Sequence, residues 1–185
     1  MDKGLIERYY LESKVVMKGD YPYFVNPISD GNPAITKELL DQITDCIIES
    51  SKLDCDVILA PEAMAIPYGA VLTMKTGIPF QILRKRGHGL PDEISFEKTT
   101  GYEGSRMFMN GIAAGTKAVI VDDVLSTGGT LKAMVKALRE HGIVITEVII
   151  ILDKSIDKDA ISAEISVPIR SLLKVGVKDG KPVIF

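Results

Sequence analysis

Residues 119–131, Val-Ile-Val-Asp-Asp-Val-Leu-Ser-Thr-Gly-Gly-Thr-Leu, constrain the fold of this chain more than any other stretch. Val119, Ile120 and Val121 form a β-branched run of the kind that fills a parallel strand buried on both faces. Two adjacent carboxylates, Asp122 and Asp123, follow at its carboxyl end, where open α/β sheets hold their ligands. Next comes a loop of small residues, Ser126-Thr127-Gly128-Gly129-Thr130, and then an amphipathic helix. Backbone N–H groups and three hydroxyls at a helix N-terminus suit a phosphate. The glycines let the backbone approach it. One sugar-phosphate would thus be gripped at both ends, its hydroxyls by the carboxylates and its phosphate by the loop.

The rest of the chain reads as the frame for that stretch. Residues 3–16 carry a helical apolar pattern through Leu5, Ile6, Tyr9 and Tyr10. Residues 18–34 read as loop or short strand, punctuated by glycine and proline. Thr36 is placed to cap a helix through about Ser51, with Leu39, Leu40, Ile43 and Ile47 on one face. Strands are expected over 56–60 and 80–83, with a helix over 66–76 between them, stopped by Gly77 and Pro79. Residues 85–105 show no clear periodicity, and a long irregular segment in a compact domain suggests a lid. A strand from Lys117 to Val121, a helix from Thr130 to His141 and a strand from Val144 to Leu152 follow. The tail has strand character with a turn at Lys178-Asp179-Gly180-Lys181. Strands alternating with helices imply an α/β fold with a mostly parallel sheet flanked by helices.

Composition excludes several classes. A chain of 185 residues with 46% apolar content is expected to form one domain with a sizeable core. Its net charge of -3 argues against a general nucleic-acid binder. No apolar run reaches membrane-spanning length, and no signal-peptide core is evident near the start. Cys46 and Cys55 lack metal or redox spacing and are expected to be reduced, as in a cytoplasmic protein. With two His and no Cys-His cluster, no zinc site built by protein ligands is expected.

The stretch at 119–131 resembles the phosphoribosyl-pyrophosphate (PRPP) motif of type I phosphoribosyltransferases. The resemblance implies that Asp122 and Asp123 bind the ribose hydroxyls, and that Ser126, Thr127, Gly128, Gly129 and Thr130 bind the 5-phosphate. Ala60-Pro61-Glu62-Ala63 falls where this family has its pyrophosphate loop and is similar to the Glu-Ala-Arg stretch of adenine phosphoribosyltransferases. Met64 stands in place of the arginine, so contacts at Glu62 and Ala63 would come from backbone N–H groups. Arg84-Lys85-Arg86-Gly87-His88-Gly89-Leu90-Pro91 resembles a basic run of the same relatives. Arg84 and Lys85 would meet the anionic pyrophosphate, with Lys85 joining Asp122 and Asp123 in catalysis.

Residues 92–106 would form the mobile loop that closes over the reacting centre, with Glu93, Glu97 and Glu103 as its available acids. Which of the three acts in catalysis, if any, the alignment leaves open. Asp20 to Ser29 resembles the hood that covers the purine, with Phe24 or Val25 on the base face; Phe24 suits a core position equally well. Lys154, just past the strand at 144–152, stands where 6-oxopurine enzymes have a lysine that donates to the purine O6. A surface lysine is the plain alternative.

The combination looks most like the archaeal-type hypoxanthine/guanine phosphoribosyltransferases. The resemblance implies a single catalytic domain over 1–185, with a hood from about 18–34 and the C-terminal part. It implies purine salvage, in which hypoxanthine or guanine plus PRPP gives nucleotide plus pyrophosphate. It also implies Mg2+ carried on PRPP rather than by protein ligands alone, a homodimer in the cytoplasm, and no nucleic-acid or membrane partner. Adenine or xanthine specificity, or a PRPP-sensing regulator, are the alternative readings.

Overall fold

The computed structural model describes residues 2–19, 21–98 and 105–185. Its centre is a six-stranded sheet built from β3 (Val57–Pro61), β4 (Phe80–Leu83), β7 (Lys117–Leu125), β8 (Val144–Asp153), β9 (Ile169–Lys178) and β10 (Lys181–Ile184). The spatial order is β10-β9-β8-β7-β3-β4. All neighbours pair in parallel except β10, which folds back antiparallel on β9. Side chains alternate cleanly across this sheet. Leu59, Ile120, Val148 and Ile150 enter one core, while Ile58, Val119, Val121, Ile149 and Ile151 enter the other. A strand buried on both sides must be apolar at every position, and that is why the aliphatic runs were readable.

Each face is covered by its own elements. One side carries α5 (Gly129–Glu140), α6 (Lys158–Ile165) and an antiparallel hairpin of β5 (Ile94–Lys98) and β6 (Ser105–Met109). The other carries α1 (Gly4–Leu11), α3 (Lys37–Ser50) and α4 (Ala65–Thr76). On that side lies also a small unit of β1 (Lys14–Lys18), β2 (Tyr21–Val25) and α2 (Pro27–Asp30). The Thr36 side chain caps α3 by accepting from the Leu39 N–H, and Gly77 ends α4 in the left-handed region at φ 77°. Tyr10 of α1 donates to the Gly176 carbonyl in β9 at 2.6 Å, and Lys3 donates to the Leu172 carbonyl. Among the described residues no helix is long and apolar enough to cross a membrane.

Four expectations change. The first helix stops at Leu11 rather than running to 16, because Val15 to Met17 pair with β2 instead. The described part of 85–105 ends in a hairpin: Ile94 and Phe96 on β5 and Met107 and Met109 on β6 point into the core. That is a period-two alternation over a run too short to stand out. The helix α6 went unread; the Asp157 carboxylate caps it by accepting from the Ala160 N–H at 2.9 Å. Finally, β7 continues through both carboxylates to Leu125, since its backbone keeps pairing with β8 as far as Asp153.

Candidate active site

The order of the sheet locates the site. From β3 the chain steps to β4 on one side, then returns to place β7 on the other side of β3. Helix α4, leaving β3, packs on one face, and α5, leaving β7, packs on the opposite face. The carboxyl ends of β3 and β7 therefore open a crevice where the order reverses, the usual ligand position in such sheets. The segments entering it are Glu62–Met64 after β3 and Ser126–Gly128 after β7.

Asp122 and Asp123 are the last polar residues of β7 before this crevice. The Asp123 N–H donates to Asp122 Oδ1 at 3.0 Å, so the first carboxylate is oriented by the backbone of the second. Asp123 lies deep among protein atoms although part of its surface faces solvent. Burial raises its pKa above the ordinary carboxylate value, and the negative charge of Asp30 on α2 adds to the rise. Tyr68 of α4 is fully buried, and its hydroxyl donates to the Ile28 carbonyl of α2 at 2.7 Å. Its pKa is raised by burial and then by the charge of Asp123. The buried Tyr68 hydroxyl thus ties α4 to the small unit, within reach of the charge of Asp123.

The loop after β7 turns directly into α5. Gly128 is the N-cap at φ 79°, a backbone angle that favours glycine. It is constrained from the protein side as well: a Cβ there would lie 3.0 Å from Ile161 Cδ1 on α6. Ser126, Gly129 and Thr130 are partly buried and Thr127 is exposed. The Thr127 hydroxyl accepts from the Gly129 N–H at 3.5 Å. The α5 N-terminus, with its unpaired N–H groups, points at whatever anion enters.

The other candidates divide. Glu62 Oε2 accepts from the Lys85 N–H at 2.8 Å, which ties the loop after β3 to the basic run; the Glu62–Ala63 peptide bond is cis. Arg84 extends β4 by pairing with Phe108 of β6, its N–H donating to the Phe108 carbonyl at 2.8 Å. Its side chain is half-buried, and those of Lys85 and Arg86 are exposed. Of the three acids in the loop, Glu93 closes a turn by accepting from the His88 and Gly89 N–H groups at 2.6 and 3.2 Å. Glu97 lies 3.5 Å from Arg106 across the hairpin, both exposed. Glu103 lies outside the described residues, as do Asp20 and the rest of 99–104.

Phe24 is only 4% exposed and meets Tyr10 edge-on, at 5.2 Å between ring centres. It occupies the core position that its sequence allowed, while neighbouring Val25 is half-buried. Lys154 reaches across from β8: its Nζ donates to the Pro22 carbonyl at 2.9 Å and sits 5.1 Å over the Phe24 ring. Sequence reasoning missed Asn26, whose Oδ1 caps α2 by accepting from the Ile28 and Ser29 N–H groups. Its Nδ2 is buried without a hydrogen-bond partner among the described residues. The signal was present, since Asn before Pro is a frequent helix start. Among the described residues no group of three His, Cys, Asp or Glu side chains is gathered to hold a metal ion.

Comparison with known proteins agrees with this architecture. Residues 33–172 match the phosphoribosyl transferase domain family. The chain is 42% identical over 181 residues to a hypoxanthine/guanine phosphoribosyltransferase of Methanohalophilus mahii, covering 97% of this chain and 95% of the relative. It is 41% identical over 169 residues to the protein of that name from Methanothermobacter thermautotrophicus, covering 91% and 88%. An adenine phosphoribosyltransferase structure from Thermoanaerobacter pseudethanolicus superposes with a TM-score of 0.74 at 23% identity, covering 91% of this chain and 99% of that one. At that identity the likeness speaks for the fold, whereas the match over 33–172 and the identity with the archaeal proteins speak for descent. This chain belongs to the phosphoribosyl transferase family.

Proposed function

We propose that the protein is a purine-salvage enzyme that transfers the phosphoribosyl group of PRPP to hypoxanthine or guanine. The observation that carries the purine half is Lys154. An ammonium only donates hydrogen bonds, and this one extends from the strand beside the two carboxylates to the underside of the segment 21–25. A 6-oxo oxygen accepts from it, whereas the exocyclic amino group of adenine brings a second donor. The name carried by the archaeal relatives supports the same substrate class.

In this reading Asp122 and Asp123 hold the ribose hydroxyls and residues 126–130 hold the 5-phosphate. The C1–O bond to pyrophosphate breaks as the C1–N bond to the purine forms, and the base gives up a proton. Arg84 and Lys85 offset charge on the departing pyrophosphate, together with backbone N–H groups at Glu62 and Ala63. The residues present fit Mg2+ arriving on the substrate, because two carboxylates beside bound hydroxyls can complete a shell made mostly of phosphate oxygens and water. Bound there, the ion would neutralise charge on the pyrophosphate. Residues 92–106, of which 99–104 lie outside the described residues, would close over the centre and exclude water. The proposal extends to one catalytic domain over 1–185, hooded by residues 18–34 and the C-terminal part, working as a homodimer in the cytoplasm.

The test is nucleotide formed from PRPP and each of hypoxanthine, guanine, xanthine and adenine. Hypoxanthine and guanine are expected to react and adenine poorly, with Lys154→Met costing on the order of tenfold to a hundredfold in 6-oxopurine KM. Preference for adenine would overturn the base assignment while leaving the transferase assignment intact.

A further inference from the structure

The residues on either side of Lys154 carry a network that the transfer chemistry does not use. Asp153, the last residue of β8, is 2% exposed. Its Oδ1 accepts from the Ser155 N–H at 2.9 Å and from the Ser155 hydroxyl at 2.5 Å. Its Oδ2 faces the Lys174 Nζ at 3.4 Å. Lys174 stands opposite Asp153 in the β8–β9 register and also donates to the Ser155 carbonyl. One buried carboxylate therefore gathers the backbone N–H and hydroxyl of Ser155 and, through Lys174, its carbonyl. On the other side the Lys154 N–H donates to the Leu125 carbonyl at 2.7 Å, at the end of β7.

Burying a carboxylate beside a half-buried ammonium is a poor way to gain stability, since apolar side chains of similar size often do as well. It is a good way to fix a backbone. The chain leaves a strand here and needs no turn chemistry this dense to reach α6. What lies within the fixed segment is Lys154, whose peptide is held from both sides while its side chain reaches Pro22 and Phe24. A long lysine has rotamer freedom to lose, and a rigid base on which to lose it shortens the search for the acceptor.

We propose that Asp153, Ser155 and Lys174 form a clasp that positions Lys154 against the purine. The proposal rests on the reading of Lys154 as the base-recognising donor. The proposal gives none of the three a contact with substrate, so they are positioning residues. Their removal should weaken selection of the base and leave PRPP untouched.

The experiment measures KM for hypoxanthine and for PRPP, kcat, and the hypoxanthine-to-adenine ratio. The variants are Ser155→Ala, Lys174→Met, Lys174→Arg and Asp153→Asn, each alone and combined with Lys154→Met. Lys174→Met and Asp153→Asn are expected to raise the hypoxanthine KM about tenfold, with PRPP KM within about twofold. Ser155→Ala is expected to give a smaller rise, and Lys174→Arg to restore most of the loss. In the Lys154→Met background no clasp variant should raise the hypoxanthine KM further, because residues acting through one group are not additive. If Lys154→Met raises that KM but the clasp variants are inert, additive with it, or affect both substrates alike, the clasp is only structural. If Lys154→Met itself leaves the KM unchanged, the base reading fails first and the clasp with it. Should Asp153→Asn fail to fold, Ser155→Ala decides, since it keeps the carboxylate and its lysine.

Discussion

The loop that follows β7 enters the crevice, the segment that follows β4 is tied to it through Glu62, and the two are built in opposite ways. The first is short and anchored from beneath: Gly128 rests against Ile161, and α5 begins at once. The second is long, and its anchors are hydrogen bonds and a hairpin seam: Glu62 on the Lys85 N–H, Glu93 on the turn at 88–89, Arg84 on Phe108. Its cations Lys85 and Arg86 stay exposed, and Arg84 is half-buried. A group that must be held at a fixed point needs packing behind it. A group that must meet a departing charge and then let it go is better carried on an exposed turn such as 85–92, tied down by hydrogen bonds ahead of the packed hairpin. On the proposed function, the difference divides binding and release between two strand ends of one sheet.

The largest expected effect breaks the fixed side. Asp122→Asn combined with Asp123→Asn should lower kcat/KM for PRPP by about a hundredfold or more, since two charge-assisted hydrogen bonds are lost. Near-wild-type PRPP kinetics in a folded double variant would remove these acids from the ribose. Gly128→Val comes next. It should weaken PRPP binding strongly and also lower Tm, because the left-handed angle and Ile161 both resist a side chain. Adding Ile161→Ala should recover part of the contact cost but not the strain or the PRPP affinity. Recovery of full affinity would show that Gly128 serves packing alone.

A middle-sized effect sharpens the contrast through pH. Asp123 has a raised pKa in the folded protein, so the folded state holds its proton more tightly than the unfolded chain does. The associated stability is fully present below the ordinary carboxylate pKa and is lost as pH rises through the raised value. Asp123→Asn should therefore flatten that descent. At neutral pH it should raise Tm while lowering activity. A Tm that falls at neutral pH would contradict a burial-dominated shift. The smallest effects belong to the looser segment. Glu93→Gln should raise PRPP KM only by about threefold, because one carboxylate oxygen serving two N–H groups is replaced by a weaker acceptor. Amide exchange at 94–98 and 106–109 should slow on adding a PRPP analogue with Mg2+, while β7 stays unchanged. Equal response in both would end the division of labour.

The fixed side was largely legible in the sequence and the looser one was not. Val119 to Thr130 announces strand, acids, loop and helix in order, because each part obeys a local rule. The switch between β3 and β7 was implied by alternating elements but not its direction. The hairpin was hidden because Ile94, Phe96, Met107 and Met109 are only four apolar points split between two short strands. The clasp was invisible for a different reason: Asp153 and Lys174 are 21 residues apart and meet only through strand register. Glu93 and Glu97, read as candidate acids, have local partners that no pattern in their own segment discloses.

The tie between Tyr10 and Gly176, which spans 166 residues, bears on how the protein is made. Translation proceeds from the first residue onward, so α1 emerges long before the strand it must rest on. Until β9 has been added, the apolar side of α1 has no sheet edge to cover, and the β1–β2 unit attached to it has no fixed seat. The elements around Asp122, Asp123 and the loop at 126–130 need no such wait, since β3, β7, α5 and α6 all precede β9. The first helix to be synthesised can meet α3 early, through the Leu5 and Ile6 N–H groups on Gln42, but its contact with β9 is among the last available, and such long-range closures slow folding.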